Sequence, residues 1–469
     1  MNQNMSPFVI FPFALFLFFF LFKKHKTSKN PTLPPGPKGL PFIGNLHQLN
    51  SSSLGVNFYE LSKKYGSLIF LKLGSRPTLV VSSAKMAKQV LKTHDIEFCN
   101  RPSLISHMKL SYNGLDQVFA PYREYWRHTK KLSFIQFLSV KRVTMYSSVR
   151  KYEVTQMMKK ISEQYVPSNK LVNLHNLLSC HTSAIVCRTA FGRRFEEDGT
   201  ERSMFHDLLK EAQELTSIVD EHLDPERKKL HPHEEDVIDA LIHLKNDPYC
   251  SMDLKSEHIK PLIMNMLLAG TDTIASVVVW AMTALIKDPR VMRKVQEEIR
   301  NVFGAKGFIE EEDVQKLPYL KVVIKETMRL YPSLPILLPR ETMKECEIEG
   351  YKIPDKTLVF VNAWAIHRDP EAWKNPEEFY PERFVGSDID FKGQDFELIP
   401  FGSGRRVCPG LNMGVVTVEL LLANLLYLFD WEMPEGVKRD DIDFDNLPGL
   451  VQHKKNPLCL VVKTRITCV

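Results

Sequence analysis

The decapeptide Phe401-Gly-Ser-Gly-Arg-Arg-Val-Cys-Pro-Gly410 is the most specific pattern in the chain. Its three glycines permit the backbone to approach a flat ligand and to adopt angles that other residues avoid. Pro409 suits the first turn of a helix, and a helix start is expected to lower the pKa of Cys408. A lone cysteine is often only a small buried apolar residue. Taken alone, the Cys-Pro-Gly sequence favours that interpretation over the alternative, a thiolate that ligates iron.

The full spacing Phe-x-x-Gly-x-Arg-x-Cys-x-Gly resembles the haem-binding loop of the cytochromes P-450. The resemblance implies that Cys408 is the metal ligand, that the cofactor is haem b (iron protoporphyrin IX), and that Phe401, Arg406 and Gly410 belong to its site. It also implies the cytochrome P-450 fold, mainly α with a small β lobe, as a single large domain behind an N-terminal membrane anchor. A motif of this length is far more specific than an isolated pair of cysteines or glycines.

Composition limits the other functions that the chain can have. The chain has 469 residues, of which 44% are apolar and 25% charged, as in ordinary globular proteins. Residues 1–38 contain five lysines and no acidic residue, so they account for most of the net charge of +6. We therefore expect a membrane surface, and no nucleic acid, as a partner. The eight cysteines are scattered without close pairs, which indicates a reducing compartment.

Residues 1–30 are predicted to be a signal anchor that ends in a basic stop. The apolar run 8–22 precedes the basic cluster 23–29, whereas a cleavable signal peptide, the alternative, has its positive charge first. The positive-inside rule then places the rest of the chain in the cytosol. A Pro-rich linker at 31–41 leads into a domain at 42–469. This order resembles the microsomal members of the family, which implies a single-pass protein of the endoplasmic reticulum membrane.

Sequence periodicity predicts a mainly helical body. Two apolar runs around Gly-Ser-Arg-Pro predict a β-hairpin over 66–82. Apolar residues at helical spacing predict helices over most of 84–345 and a final helix over 411–428. The tail at 447–465 is interpreted as strands.

The segment 261–286 is apolar and long enough to cross a membrane. Asp272 at its centre would be costly in lipid, which favours a buried central helix instead. The segment resembles the oxygen-binding helix of the family. The resemblance implies that Asp272 and Thr273 are catalytic residues that deliver protons to dioxygen.

Glu326 and Arg329 are three residues apart on a helical stretch and share one face. Alone, they would be interpreted as a solvated surface pair. Together with Arg383 they resemble the Glu-Arg-Arg network of the family, which implies a structural role: a buried, mutually paired charge cluster that fixes the haem loop.

Trp126 and Lys130 are one helical turn apart, and both side chains are hydrogen-bond donors suited to a carboxylate. An amphipathic surface helix is the alternative. The family resemblance implies that Trp126, Lys130, Arg340 and Arg406 bind the haem propionates. Basic residues near the cysteine face are weaker candidates for docking an acidic electron donor: Arg127, Lys131 and Arg405.

The apolar segments 335–339 and 447–451, with parts of 101–121, are predicted to line the substrate side and to favour a small hydrophobic substrate. The resemblance to the family extends from residue 31 to the end, and the sequence motifs resemble those of its plant microsomal A-type group. One departure falls between Trp126 and Thr273, where the chain is shortened near 215–225. Compared with the usual spacing in the family, the residues missing from this region would form ~45–60 Å of helix at about 1.5 Å per residue. This length is enough for most of a helix pair over the substrate pocket.

The resemblance implies a monooxygenase that uses O2 and electrons from NADPH-cytochrome P-450 reductase. Two alternatives stay open. One is a reductase-independent haem-thiolate isomerase or dehydratase, which Asp272 and Thr273 disfavour. The other is an impaired, truncated form that binds haem or the reductase without turnover, which the short region favours.

Overall fold

The computed structural model describes residues 33–50, 53–193, 221–222, 235–246 and 254–465. The predicted anchor, the start of the Pro-rich linker and most of the region near 215–225 lie outside the described residues.

Helices are the main regular structure of the described chain, in agreement with the predicted fold class. The helices are α1 Leu54–Tyr65, α2 Ala84–Lys88, α3 Asp95–Phe98, α4 Ile105–Leu110, α5 Glu124–Ser133, α6 Val140–Met145, α7 Ser147–Lys160, α8 Leu174–Phe191, α9 Val237–Lys245, α10 Ser256–Lys287, α11 Pro289–Phe303, α12 Pro318–Leu330, α13 Ala363–Ile366 and α14 Leu411–Leu428. The strands are β1 Leu68–Leu73, β2 Arg76–Val81, β3 Val172–Asn173, β4 Arg340–Glu341, β5 Cys346–Ile348, β6 Tyr351–Ile353, β7 Leu358–Val361, β8 Phe429–Glu432 and β9 Cys459–Thr464.

The β lobe is built on the predicted hairpin. β1 and β2 pair antiparallel, with Leu68 opposite Val81. β7 adds to β2 in parallel and β4 to β7 antiparallel, so the strand order is β1-β2-β7-β4. A second sheet has the order β3-β9-β8, and β5 and β6 form a separate hairpin.

The helix α10 lies in the core, as predicted for 261–286. It packs against α8, α12 and α14, and Ala275, Val278 and Leu285 are fully buried. A helix that is apolar on all sides is stable only when neighbours cover all of it. Among the described residues, α10 and α14 are long and apolar enough to cross a membrane, but more than half of each is buried inside the protein. They are therefore core helices of the domain.

The tail differs from the prediction of strands over 447–465. Only 459–464 belongs to a strand, and 447–458 forms a loop against the core. The loop pairs its backbone internally, through Leu447 N–H to the carbonyl of His453 (2.8 Å), and with the chain after α12, through Gln452 N–H to Ser333 O (2.8 Å). Pro448 interrupts the apolar run and cannot donate to a sheet ladder.

Candidate active site

The cysteine loop folds back on itself ahead of α14. The backbone N–H of Cys408 donates to the carbonyl of Phe401 at 2.9 Å. Gly402 and Gly404 have φ values of 68° and 71°, in the region that glycine occupies at little cost. A Cβ at Gly404 would lie 2.1 Å from the carbonyl oxygen of Leu91. Close packing against the preceding chain therefore excludes a side chain at this position.

The start of α14 differs in detail from the expectation. The helix begins at Leu411, and Gly410 is its N-cap with φ −84°, so Pro409 precedes the helix instead of lying in its first turn. Gly410 therefore has a φ that any residue adopts. A Cβ there would meet Cys408 Sγ at 3.9 Å, which is an ordinary contact.

The expected low pKa of Cys408 is wrong for the chain by itself. Burial raises the pKa of the Cys408 thiol, and this outweighs the backbone N–H of Gly410 and the charge of Lys130, which both lower it. The penalty arises because a thiolate loses its hydration in an apolar enclosure. A metal ion deprotonates a coordinating thiol outright. The stabilisation that a desolvated Cys408 thiolate needs is thus of the kind that iron supplies.

Trp126 and Lys130 of α5 meet Arg406 of the cysteine loop. The Arg406 guanidinium carbon lies 4.0 Å from the centre of the Trp126 ring, and the Lys130 ammonium lies 5.3 Å from the same ring. Arg406 donates to the carbonyls of Cys99 (2.9 Å) and Ala120 (2.7 Å). The structure therefore brings these three predicted propionate ligands together.

The remaining predicted propionate ligand, Arg340, reaches the same loop from β4. Its Nη2 donates to the carbonyl of Ser403 at 2.9 Å, and its Nη1 lies 3.3 Å from Asp95 Oδ1. Asp95 also accepts the backbone N–H of Arg405 at 2.9 Å. Arg340 thus links the β lobe to the cysteine loop.

The cluster of cations is costly without an anionic ligand. Burial lowers the pKa of Arg406 to about 9, and it also lowers the pKa values of Arg340 and Lys130. Among the described residues, Asp95 pairs with Arg340, whereas the hydrogen bonds of Arg406 and Lys130 go to backbone carbonyls. Charge-assisted bonds to carboxylates would offset this desolvation. The cluster therefore fits the two propionates of a haem.

Arg101 is a member of this cluster that the sequence reasoning missed. It is buried and donates to the carbonyls of Val118 (3.0 Å), Leu338 (2.7 Å) and Pro339 (2.7 Å). Burial, followed by the charge of Arg406, holds the pKa of Arg101 well below its usual range. The only sign of Arg101 in the sequence is its place at the start of the segment 101–121, which is predicted to line the substrate side.

Asp272 and Thr273 lie on α10, as predicted, and have separate partners. The Thr273 hydroxyl donates to the carbonyl of Ala269 at 2.6 Å, one turn back. Asp272 Oδ2 lies 2.7 Å from Nε2 of His453. The sequence gives no signal for His453, because this residue lies in the tail, where the local pattern predicts strands.

The segments predicted to line the substrate side lie around α10 and the β lobe. Asn265 of α10 accepts the backbone N–H of Gln117 (2.9 Å) and donates to Asp116 (3.0 Å). This contact fixes part of 101–121 along α10. The segments 335–339 and 446–452 line one cavity of about 180 Å³, whose walls include Ile336, Leu337, Pro339, Leu447 and Leu450.

Glu326, Arg329 and Arg383 form one buried ion-pair network. Arg329 contacts both carboxylate oxygens of Glu326, at 2.8 and 2.9 Å, and Arg383 donates to the same carboxylate at 3.0 Å. Arg329 also donates to the carbonyls of His367 and Pro376, each at 2.7 Å. The network therefore ties α12 to the irregular chain that precedes the cysteine loop.

Comparison with known proteins identifies the family. A sequence profile described as cytochrome P-450 matches residues 34–223 and 202–461. The chain belongs to the cytochrome P-450 family. A zebra fish cytochrome P-450 solved with abiraterone superposes with a TM-score of 0.76 at 26% identity, over 88% of this chain and 99% of the other. The predicted fold is thereby confirmed.

Plant enzymes are among the relatives of this cytochrome P-450. It is 44% identical to 6,7,8-trihydroxycoumarin synthase of Pastinaca sativa, over 96% of this chain and 97% of that protein. It is 41% identical to strychnine-11-hydroxylase of Strychnos nux-vomica, over 98% of each. The chain is therefore an oxidoreductase of the plant A-type group, and its family uses haem.

Proposed function

We propose that this cytochrome P-450 inserts one oxygen atom of dioxygen into a small hydrophobic plant metabolite, with electrons from NADPH-cytochrome P-450 reductase. The observation that carries the proposal is the arrangement around Cys408. A half-buried cysteine in a glycine loop lies beside a cluster of cations, and the core helix α10 carries Asp272 and Thr273.

Haem b is the proposed cofactor, with Cys408 as its iron ligand. Its propionates would be held by donors from α5, β4 and the cysteine loop: Trp126, Lys130, Arg340, Arg406 and, in addition, Arg101. Phe401 and Gly410 border the same loop. When bound, haem supplies the activation of dioxygen and the transfer of oxygen.

The residues of the chain have other tasks in this mechanism. Asp272 holds and releases protons at its carboxylate, beside the Thr273 hydroxyl on the same helix. The Thr273 hydroxyl hydrogen goes to Ala269 O, which leaves its oxygen lone pairs to accept a hydrogen bond. The apolar segments 335–339 and 447–451 exclude water and position the substrate. Glu326, Arg329 and Arg383 keep the cysteine loop in place.

The substrate class is narrowed by the names of relatives. The proteins at 44% and 43% identity include a trihydroxycoumarin synthase and a 5-OH-xanthotoxin synthase. We therefore propose coumarins, with xanthotoxin among them, as the first compounds to test. They are small and apolar enough for a site lined by aliphatic side chains.

The proposed location is the endoplasmic reticulum membrane, with residues 1–30 as a single-pass anchor and the catalytic domain in the cytosol. Arg127, Lys131 and Arg405 are exposed, which supports their proposed role in docking an acidic reductase. Positive charge at the rim of an interface mainly accelerates association.

A second candidate, a haem protein with impaired turnover, is favoured by the proposed shortening near 215–225. The family profile matches in two segments that overlap over residues 202–223. The alignment with the trihydroxycoumarin synthase extends over 497 positions, more than the 469 residues of this chain. Part of the relative therefore has no counterpart here.

The spectrum of the reduced protein with carbon monoxide tests the proposal. The wild-type chain is expected to show the red-shifted band of thiolate-ligated haem, and Cys408→Ser is expected to lose it. Cys459→Ser, a cysteine on β9, serves as the control and should keep the band. NADPH-dependent oxidation of coumarins in the presence of the reductase then distinguishes the two candidates, because the monooxygenase forms product and the form with impaired turnover does not. Absence of the band in the wild type would refute both.

A further inference from the structure

His453 and Asp272 form a short hydrogen bond between the tail loop and the core helix. Nε2 of His453 lies 2.7 Å from Oδ2 of Asp272. The two side chains are only 19% and 18% exposed, so bulk water has limited access to the pair. A hydrogen bond to an ionised group is among the stronger side-chain contacts, and low exposure strengthens it further.

The backbone around His453 is fixed on α10 by neighbouring contacts. The carbonyl of Gln452 accepts from the Ser276 hydroxyl (2.7 Å) and from the Trp280 indole N–H (2.8 Å), one and two turns beyond Asp272. The Trp280 ring stacks on Tyr331, with centroids 5.0 Å apart. The imidazole is thus presented to Asp272 by a loop that other residues hold in place.

Each partner keeps one buried polar atom without a partner within the described part of the chain: Oδ1 of Asp272 and Nδ1 of His453. Buried polar atoms normally have partners, so these two positions are suited to water or a ligand. The ring of His175 lies edge-on to His453, with centroids 5.3 Å apart. Burial lowers the pKa of His175, and the nearby His453 lowers it further. His175 is therefore a neutral neighbour of the pair.

We propose that His453 is a positioning residue of this active site, which holds Asp272 by Oδ2 and returns protons to it between turnovers. The proposal rests on the proposed function of Asp272. One oxygen of the carboxylate is held by the imidazole, so the other is free to act. An imidazole can donate from one nitrogen while it accepts at the other.

The proton balance of the reaction defines what His453 would supply. One turnover splits dioxygen, forms one C–O bond in the substrate and one water, and consumes two electrons from NADPH through the reductase and two protons from solvent. His453 takes up a proton from water at Nδ1, and the resulting imidazolium gives the proton on Nε2 to Asp272 Oδ2. Asp272 releases one proton for each one that it receives. Exchange between the tautomers of His453 then restores the starting state, with no net change in either residue.

The test compares three variants of the full-length, haem-loaded chain in vesicles with reductase, NADPH and xanthotoxin as the probe. His453→Ala removes the contact, His453→Gln keeps an N–H donor without the relay, and Asp272→Asn removes the acid. His243→Gln is the control, because His243 also faces a carboxylate, Glu235 at 3.3 Å, but is 71% exposed on α9. The activity of every preparation is divided by the intensity of its thiolate band, so that poor folding of a variant is not mistaken for a loss of activity.

The measured quantities are hydrogen peroxide released per NADPH and the solvent deuterium isotope effect on NADPH oxidation. We expect His453→Ala and Asp272→Asn each to raise the hydrogen peroxide released per NADPH, because loss of a positioned proton donor slows the productive step by about 10²-fold or more. The double variant should be no worse than Asp272→Asn alone. His453→Gln should retain the orientation but show a larger isotope effect, and His243→Gln should match the wild type.

A readout independent of turnover is the histidine-selective ¹⁵N NMR spectrum of the full chain. The signal lost in His453→Gln should shift in Asp272→Asn. Wild-type behaviour of His453→Ala, or effects of the two single variants that multiply, overturns the role of His453 while the proposed function stands. A wild type that oxidises no NADPH overturns the proposed function and this role with it.

Discussion

Gly404 combines two constraints at a single residue of the cysteine loop. Its φ is 71°, and a Cβ would lie 2.1 Å from the Leu91 carbonyl oxygen and 2.8 Å from Asp95 Oδ1. The first contact involves backbone, which cannot move away as a flexible side chain does. Asp95 in turn pairs with Arg340. A side chain at Gly404 therefore disturbs both the loop and the cation cluster beside it.

We expect Gly404→Ala to destabilise the protein by more than the cost of a positive φ, which is about 1–2 kcal/mol for a residue with a Cβ. Gly386→Ala is the matched control, because Gly386 has φ 72° but nothing within 4 Å of a Cβ. Chemical unfolding of both variants, monitored by the haem absorption band, separates the cost of the positive φ from the cost of the contact with Leu91. Equal destabilisation would mean that the Leu91 contact relaxes freely.

Glu419 is a partly buried acid on α14, the helix that follows the cysteine loop. Burial raises the pKa of Glu419 from 4.5 to about 7, with a smaller contribution from Glu311. Between these two values the folded chain keeps a proton that the unfolded chain has released. The free energy of unfolding therefore falls as pH rises through this window and levels off above it.

We expect Glu419→Gln to abolish this fall in the free energy of unfolding with rising pH. The fall amounts to at most about 3 kcal/mol in the wild type. The measurement is the unfolding midpoint at about pH 5 and about pH 8, for the wild type and the variant. Glu297→Gln, an exposed acid on α11, should retain the wild-type dependence. A wild type that is as stable at the higher pH as at the lower would contradict the raised pKa.

The ion-pair network ties α12 to the chain that leads into the cysteine loop. Glu326 and Arg329 are fully buried, so removal of the carboxylate strands two guanidinium groups. We expect Glu326→Gln to cost about 3 kcal/mol or more and to reduce haem retention. Glu60→Gln removes an exposed ion pair with Lys63. This control should change neither the stability of the protein nor its haem retention. Full haem content in Glu326→Gln would show that the network is dispensable for the loop.

At the scale of the whole molecule, local patterns predicted the elements and missed what depends on packing. The hairpin at 66–82, the core helix and α14 follow from periodicity and turn residues, which act over a few positions. The loop at 447–458 is set by its contacts with Ser276 and Trp280, which no local pattern reveals. The pKa of Cys408 was mispredicted for the same reason, because desolvation depends on the folded enclosure.

The proposed shortening near 215–225 affects the whole molecule and can be tested by restoring length. We expect a chimera with the corresponding segment of the trihydroxycoumarin synthase, inserted near residue 219, to keep the thiolate band. The proposed haem site would be formed by α5, β4 and the cysteine loop, which lie among the described residues. Substrate-induced spectral shift and product per NADPH should rise, since a longer roof excludes more water. If the native chain already couples NADPH to product as well as the chimera does, the short region is a functional feature of this enzyme, and the impaired form is refuted.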